Sequence, residues 1–125
     1  NGRFPASAVE AETDISRYAI GEAWEGTPAG GASERFFSLK RPALQGQCQT
    51  ISAEGGNTST ASVCHPTEKR KFSIAELRRI CAFPDDFILT GNYAEQWERM
   101  GRAVPPVMMS YIAATVRDEI LCKIK

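Results

Sequence analysis

The sequence predicts an α+β fold: a small antiparallel, strand-rich region followed by helices. Three observations lead there. Short apolar runs in the middle of the chain are broken repeatedly by Gly and Pro, a Ser-x-x-Glu cap opens a helical pattern at residue 73, and the last stretch carries apolar residues at helical spacing behind a Pro-Pro pair. The 125 residues suffice for one small domain with a modest core. A content of 42% hydrophobic and 24% charged residues excludes a disordered or membrane chain. No stretch has the ~18 uninterrupted apolar residues that a spanning helix needs, and no basic-then-apolar start marks a signal peptide, so the expected location is cytoplasmic.

Residues 1–13 show no firm period and are expected to form a loose leader. From Asp14, a good helix cap, the residues Ile15, Tyr18, Ala19, Ala23 and Trp24 recur at helical spacing as far as Gly26. The run Gly26-Thr27-Pro28-Ala29-Gly30-Gly31 breaks that helix. Phe36, Phe37 and Leu39 read as a short strand closed by Pro42, and Gln49-Thr50-Ile51-Ser52-Ala53 as a second. Glu54-Gly55-Gly56-Asn57 reads as a turn needing positive φ, with a returning strand over residues 60–64. Ser73 and Glu76 form a capping box for a helix through Leu77, Ile80 and Cys81, stopped at Phe83-Pro84. Residues 93–100 read as a short helix. The longest one runs over residues 106–123 from a proline suited to its first turn. Met108, Ile112, Val116 and Ile120, with Met109, Ala113 and Leu121, give it a broad apolar stripe.

The formal net charge of zero hides a pattern. Residues 1–34 carry a balance of −4, residues 35–81 one of +5, and residues 82–125 one of −1. The middle third is therefore the part suited to a polyanion, although a solvated charged surface would look the same by charge alone. Cys48, Cys64, Cys81 and Cys122 include no CxxC pair, and His65 is the single histidine, so no metal site is expected. The thiols are expected free and partly buried, and His65, placed before Pro66, is expected in a turn.

Two segments resemble the last two sequence blocks of the DNA cytosine-5 methyltransferases. The first runs from Arg70-Lys71-Phe72-Ser73 through Glu76 and Arg79 to Ala82-Phe83-Pro84-Asp85, beside the family's Arg-x-Leu-Thr-x-x-Glu-x-x-Arg followed by Gly-Phe-Pro-Asp. The second is Met100-Gly101-Arg102-Ala103-Val104-Pro105-Pro106, beside Ile-Gly-Asn-Ala-Val-Pro-Pro. Upstream, residues 49–57 look like the Thr-Leu/Ile and glycine-bearing loop of the target-recognition domain. The resemblance covers residues 15–121, and order and spacing together make it specific. Arg102 departs from the family's asparagine, adding a fixed charge that accepts no hydrogen bond, and Ala82 replaces the glycine before Phe-Pro.

The resemblance implies a parent enzyme that methylates C5 of cytosine in a specific duplex site with S-adenosylmethionine, within a bacterial or phage restriction-modification system. Such enzymes attack C6 of a flipped cytosine with a cysteine thiolate from a Pro-Cys-Gln segment, helped by a glutamate from Glu-Asn-Val. Neither segment occurs in this sequence, nor does the glycine-rich donor loop. Gly46-Gln47-Cys48-Gln49 lacks the proline, and Cys48 reads as structural. No catalytic residue is thus expected here. The chain reads as the carboxy-terminal part of a longer enzyme or as one subunit of a split one, inactive alone, its last helix completing an α/β catalytic domain carried elsewhere. A recognition region over 14–87 and a docking region over 88–125 follow.

The same resemblance places Thr50, Ile51, Ser52, Gly55, Gly56 and Asn57 at the major groove of double-stranded DNA, where short polar side chains and backbone groups reach base edges. The residues alone would fit an ordinary hairpin turn. Arg35, Lys40 and Arg41 lie on a first recognition loop, as guanine or phosphate contacts, and Lys69, Arg70 and Lys71 invite a phosphate reading. Arg70, Glu76, Arg79, Phe83, Pro84 and Asp85 are implied to be structural, Arg70 ordering the recognition domain. Arg102 and Ala103 are implied to lie beside the methyl donor. Expected partners are duplex DNA and the catalytic domain or subunit, with self-association through the final helix when that domain is lacking. The rival reading is a non-catalytic DNA-binding or interaction module derived from the same fold.

Overall fold

The structure, a computed structural model, describes residues 13–124; of the expected loose leader over residues 1–13 only Thr13 is among the described residues, and it is buried, its carbonyl accepting from the Lys71 N–H at 2.9 Å. Among these it contains α1 (Ala19–Glu25), a 3-10 turn (Ala53–Gly56), α2 (Ile74–Ile80), α3 (Tyr93–Arg102), α4 (Pro106–Glu119) and a second 3-10 turn (Leu121–Lys123). None of the helices is long and apolar enough to cross a membrane.

The strand-rich region is not there. Among the described residues there is no β-strand, only isolated bridges pairing Asp14 with Arg70, Ala32 with Lys40, Lys40 with Val63, and Cys64 with Lys71. The expected α+β class is thereby corrected to short helices on a loop-built middle. Phe36, Phe37 and Leu39 form a turn, with Leu39 donating to the Phe36 carbonyl at 2.9 Å. Ser62, Val63 and Cys64 are all buried in succession, without the alternation of a half-solvated strand. The ladder fails because many carbonyls in this region point at side chains instead of neighbouring N–H groups. Arg41 donates to the carbonyls of Trp24, Thr27 and Pro66, and Lys71 to those of Gly55, Asn57 and Thr60.

Two apolar clusters form the core. Ile15, Ile20, Trp24, Leu39 and Cys64 make one; Val63, Phe72, Leu77, Cys81, Tyr93, Trp97 and Met100 make the other. The expected start of the first helix at Asp14 is also corrected. Asp14 accepts from the Ser16 N–H at 2.9 Å, making a local turn that drops Ile15 into the core, and α1 begins at Ala19 with no side-chain cap.

The capping box of α2 forms as the sequence predicts: Glu76 N–H donates to Ser73 Oγ at 3.2 Å and Ser73 N–H to Glu76 Oε2 at 2.8 Å. A second one, spelled in the sequence as Asn92-x-x-Glu95, opens α3. That helix lies on the Ala53–Gly56 turn. A Cβ at Gly55 would stand 2.5 Å from Trp97 Nε1, one at Gly56 2.8 Å from Ala94 Cα, and one at Gly101 2.5 Å from the Ala53 nitrogen. Gly55 and Gly56 therefore serve close approach in a 3-10 turn, not the expected positive-φ turn.

The last helix stands apart. No residue of α4 is buried; Met108, Ile112 and Val116 are 51%, 47% and 41% exposed, and Ile120, its C-cap, 54%. It ends at Glu119, and residues 121–123 continue as the 3-10 turn.

At the end of α2, Ala82 takes φ 59° and occupies the left-handed position of a Schellman turn, with Phe83 N–H donating to the Arg78 carbonyl at 2.8 Å and Ala82 N–H to Arg79 at 3.1 Å. Alanine is strained there and glycine is not. Replacing Ala82 with Gly should raise the unfolding free energy by about 0.5–1 kcal/mol, as read from urea midpoints at constant m-value; a lower midpoint would contradict this account of the turn.

Candidate functional site

The sequence-predicted residues fall into three environments. Thr50 and Ile51 line an open groove of about 750 Å³ together with Cys48, Cys81, Met100, Gly101, Ala103, Pro105 and Met108. The groove thus brings the expected recognition segment to Ala103 and to the root of α4. Ser52 is exposed, and its carbonyl accepts from Trp97 Nε1 at 2.9 Å. Gly55 and Gly56 are buried beneath α3, whereas Asn57 is exposed and its side-chain oxygen accepts from Ser59 N–H at 3.0 Å and Ser59 Oγ at 2.8 Å. Arg102 is not gathered with these: it is exposed and pairs with Glu98 at 2.7 Å, one turn back along α3. The thiol of Cys48 is pushed by burial to about 11, and that of Cys81 upward for the same reason, so neither groove thiol is a ready nucleophile.

The basic residues divide sharply. Arg35 is exposed, with its guanidinium 5.2 Å from the Phe36 ring and 3.6 Å from Glu22. Lys40 lies 5.7 Å from the ring of Phe37, which is 89% exposed. Arg41 faces inward. It stacks 3.8 Å from the Trp24 ring and donates to Pro66 O at 2.5 and 3.1 Å, to Thr27 O at 2.5 Å and to Trp24 O at 3.2 Å. Its donors tie α1 to the 65–66 turn, so in this structure it works as scaffold.

Arg70 forks onto Glu76 with two 2.8 Å bonds and onto Glu68 at 2.6 Å, and these hydrogen bonds raise its already high pKa. Burial pushes Glu76 up, but the bonds from Arg70 and Ser73 prevail and hold it below the usual carboxylate range. Arg79 and Asp85 form an exposed pair at 2.9 and 3.0 Å, and Phe83 meets Phe87 at 5.0 Å between ring centres. His65 takes the Glu68 N–H on Nδ1 at 3.0 Å in a turn, as the sequence predicts.

Comparison with known proteins decides the family. The model for C-5 cytosine-specific DNA methylases matches residues 11–118. The chain belongs to this family. It is 30% identical over 108 residues to the type II methyltransferase M.Sau96I of Staphylococcus aureus, a match covering 86% of this chain and 24% of that protein. It is 36% identical over 64 residues to the putative type II methyltransferase M.OihORF3336P of Oceanobacillus iheyensis, covering 51% and 14%. With the DNA (cytosine-5)-methyltransferase 1 of Gallus gallus it shares 36% identity over 55 residues, covering 44% and 4%. The chain thus spans a quarter or less of the length of these relatives. No solved structure matches it.

Within this methylase-family chain the phosphate reading of Lys71 is corrected: the residue is turned inward and organises the middle third. Lys71 is fully buried, and its ammonium donates to Gly55 O, to Asn57 O at 2.6 Å, to Thr60 O at 2.7 Å and to Ser62 Oγ at 2.9 Å. The Trp97 ring lies 5.6 Å away. Nothing in the sequence marks it, since a lysine between Arg70 and Phe72 reads as surface.

Two predictions follow from these cations. Removing the Arg41 side chain (Arg41→Ala) strips three carbonyls and the Trp24 face of their partner and should lower the thermal midpoint, at a cost of about 1–3 kcal/mol. Arg35→Ala should leave the midpoint within error. For Lys71, burial depresses the ammonium from its usual 10.5 to about 8. At this site the unfolded chain therefore holds more protons than the folded one between pH 8 and 10.5, so the contribution of Lys71 to stability rises with pH across that window. Between pH 7 and 9 stability should rise by about 1 kcal/mol relative to Lys71→Met, a comparison in which the ionisation of the thiols, common to both proteins, largely cancels. Parallel profiles for the two proteins would contradict this.

Proposed function

We propose that this chain is the DNA-recognition share of a cytosine-5 methyltransferase, with α4 docking onto the catalytic domain or subunit. The observation that carries the reading is the groove itself. Thr50 and Ile51, from the recognition-like segment, share it with Ala103 and Pro105 of the Gly-x-Ala-Val-Pro-Pro block, at the root of a helix whose apolar stripe is exposed. A surface that reads DNA and a surface that seats on an apolar partner meet there. In the whole enzyme a cytosine of a specific duplex site receives a methyl group from S-adenosylmethionine. The attacking thiolate and the donor loop come from the catalytic segment.

Arg35 and Lys40 reach phosphates or guanine edges, and Thr50, Ser52 and the Asn57 tip read base edges. Gly55 and Gly56 contribute by letting the turn lie flat on Trp97. Arg41, committed inside, is left out of the contact set. The groove's lining carries no charged side chain, so it offers no carboxylate to the hydroxyls of a nucleoside donor. These residues supply at most a wall for S-adenosylmethionine, and no chemical step is assigned to them.

The assay is transfer of labelled methyl from S-adenosylmethionine into duplex DNA. The chain alone should transfer none. Mixed with the catalytic half of its own enzyme it should restore site-specific transfer, and Met108→Asp should abolish that restoration while leaving this chain folded. Transfer by the chain alone, or no complementation between two folded halves, would overturn the assignment. Duplex binding by the isolated chain should be weak and fall steeply with salt, Arg35→Ala weakening it further.

A further inference from the structure

We propose that Lys71 is the positioning residue of DNA recognition in this chain: from inside the core, its ammonium fixes the 55–62 segment in the shape in which residues 57–59 meet a base pair. The inference deepens the recognition reading and rests on it.

The geometry resembles a small cation held by a ring of oxygens. Three carbonyls and one hydroxyl, from Gly55, Asn57, Thr60 and Ser62, converge on a single nitrogen. A side chain with three N–H donors facing four acceptors leaves none to spare. Among the described residues no carboxylate joins them, and the other titratable side chain that acts on the ammonium is the buried thiol of Cys64. A buried lysine held by carbonyls and a hydroxyl is an expensive way to hold a loop, and an apolar side chain of the same length would be better solvated by the surrounding core. What the ammonium provides, and an apolar residue would not, is direction, since each carbonyl must turn toward one point.

The consequence lies outside, one residue away. Asn57 gives its carbonyl to Lys71 and its side-chain oxygen to Ser59, so the carboxamide N–H groups are the donors that this exposed residue has left to offer a ligand. Thr60 N–H closes the tip by donating to the same Asn57 carbonyl at 3.0 Å. A donor presented in a fixed direction suits the acceptor edges of purines in the major groove, where a misdirected contact loses its discrimination. Lys71 itself never reaches the DNA.

The test compares the full chain with Lys71→Met and Ser62→Ala, by selection from a pool of duplexes with randomised cores and by amide hydrogen exchange. Lys71→Met should speed exchange at residues 58–60 and flatten the selected preference by about tenfold, the size of one good base contact. Affinity for unselected duplex should stay within twofold, because no phosphate contact is removed. Ser62→Ala should do the same to a smaller extent. Wild-type preference and exchange in Lys71→Met would overturn the inference. If that variant fails to fold, two measurements decide: lysine-labelled wild-type chain must show one protected ammonium signal at neutral pH, and Ser62→Ala must loosen residues 58–60. Absence of either result overturns the proposal. A wild-type chain that selects no sequence at all would instead sink the recognition reading on which the inference stands.

Discussion

Carbonyl groups without strand partners set the terms for this fold. Between Thr13 and Ser73 the backbone turns too often for a ladder to form, so its oxygens must find donors elsewhere. Two side chains supply many of them. Arg41 gathers the ends of α1 and the 65–66 turn, and Lys71 gathers the 55–62 segment; the bridge residues between them hang on these two knots. The apolar clusters then pack around an arrangement already drawn together. Trp24 presents its ring to Arg41, and Trp97 lies near the ammonium of Lys71. Each of the two indoles is thus both core and lid for an inward-facing cation, and donates its own N–H to a carbonyl, of His65 and Ser52 respectively.

The helices were legible because their signals are local. Ser73 and Glu76 announce α2 within four residues, Pro105-Pro106 announces α4, and Asn92 and Glu95 announce α3 just as clearly. The expected strands are absent because β-like composition is not sufficient for a ladder. Residues 36–39, 49–53 and 60–64 have suitable side chains, but strand formation depends on a neighbour's register, which composition does not encode. Gly55-Gly56 shows the same difficulty at one site. Two glycines permit positive φ and they permit close packing, and only the position of Trp97, more than forty residues on, decides for packing.

The candidate site was partly legible. The family blocks point to residues 50–57 and 102–103, and the groove joins Thr50 and Ile51 to Ala103. Arg102 turning to Glu98 and Arg41 turning inward were beyond reach, because a charge pattern does not say which way a guanidinium points. The family blocks themselves place outward- and inward-facing side chains next to one another. Arg70 and Lys71 are neighbours in sequence, yet one clamps two surface carboxylates and the other disappears into the core.

The proline pair before α4 has a mechanical meaning. Pro105 sits at φ −55° and ψ 123°, and Pro106 opens the helix, so two pyrrolidine rings restrict the torsions through which the helix could swing. Fourteen residues at 1.5 Å rise extend about 21 Å from that stem. Tilting such a rod by 10° would carry its tip sideways by about 4 Å, roughly the separation of adjacent base pairs. A stiff pivot therefore acts as an alignment pin. The direction of the rod at its root is restricted at two φ torsions, and a single proline-to-glycine change would turn a ruler into a tether.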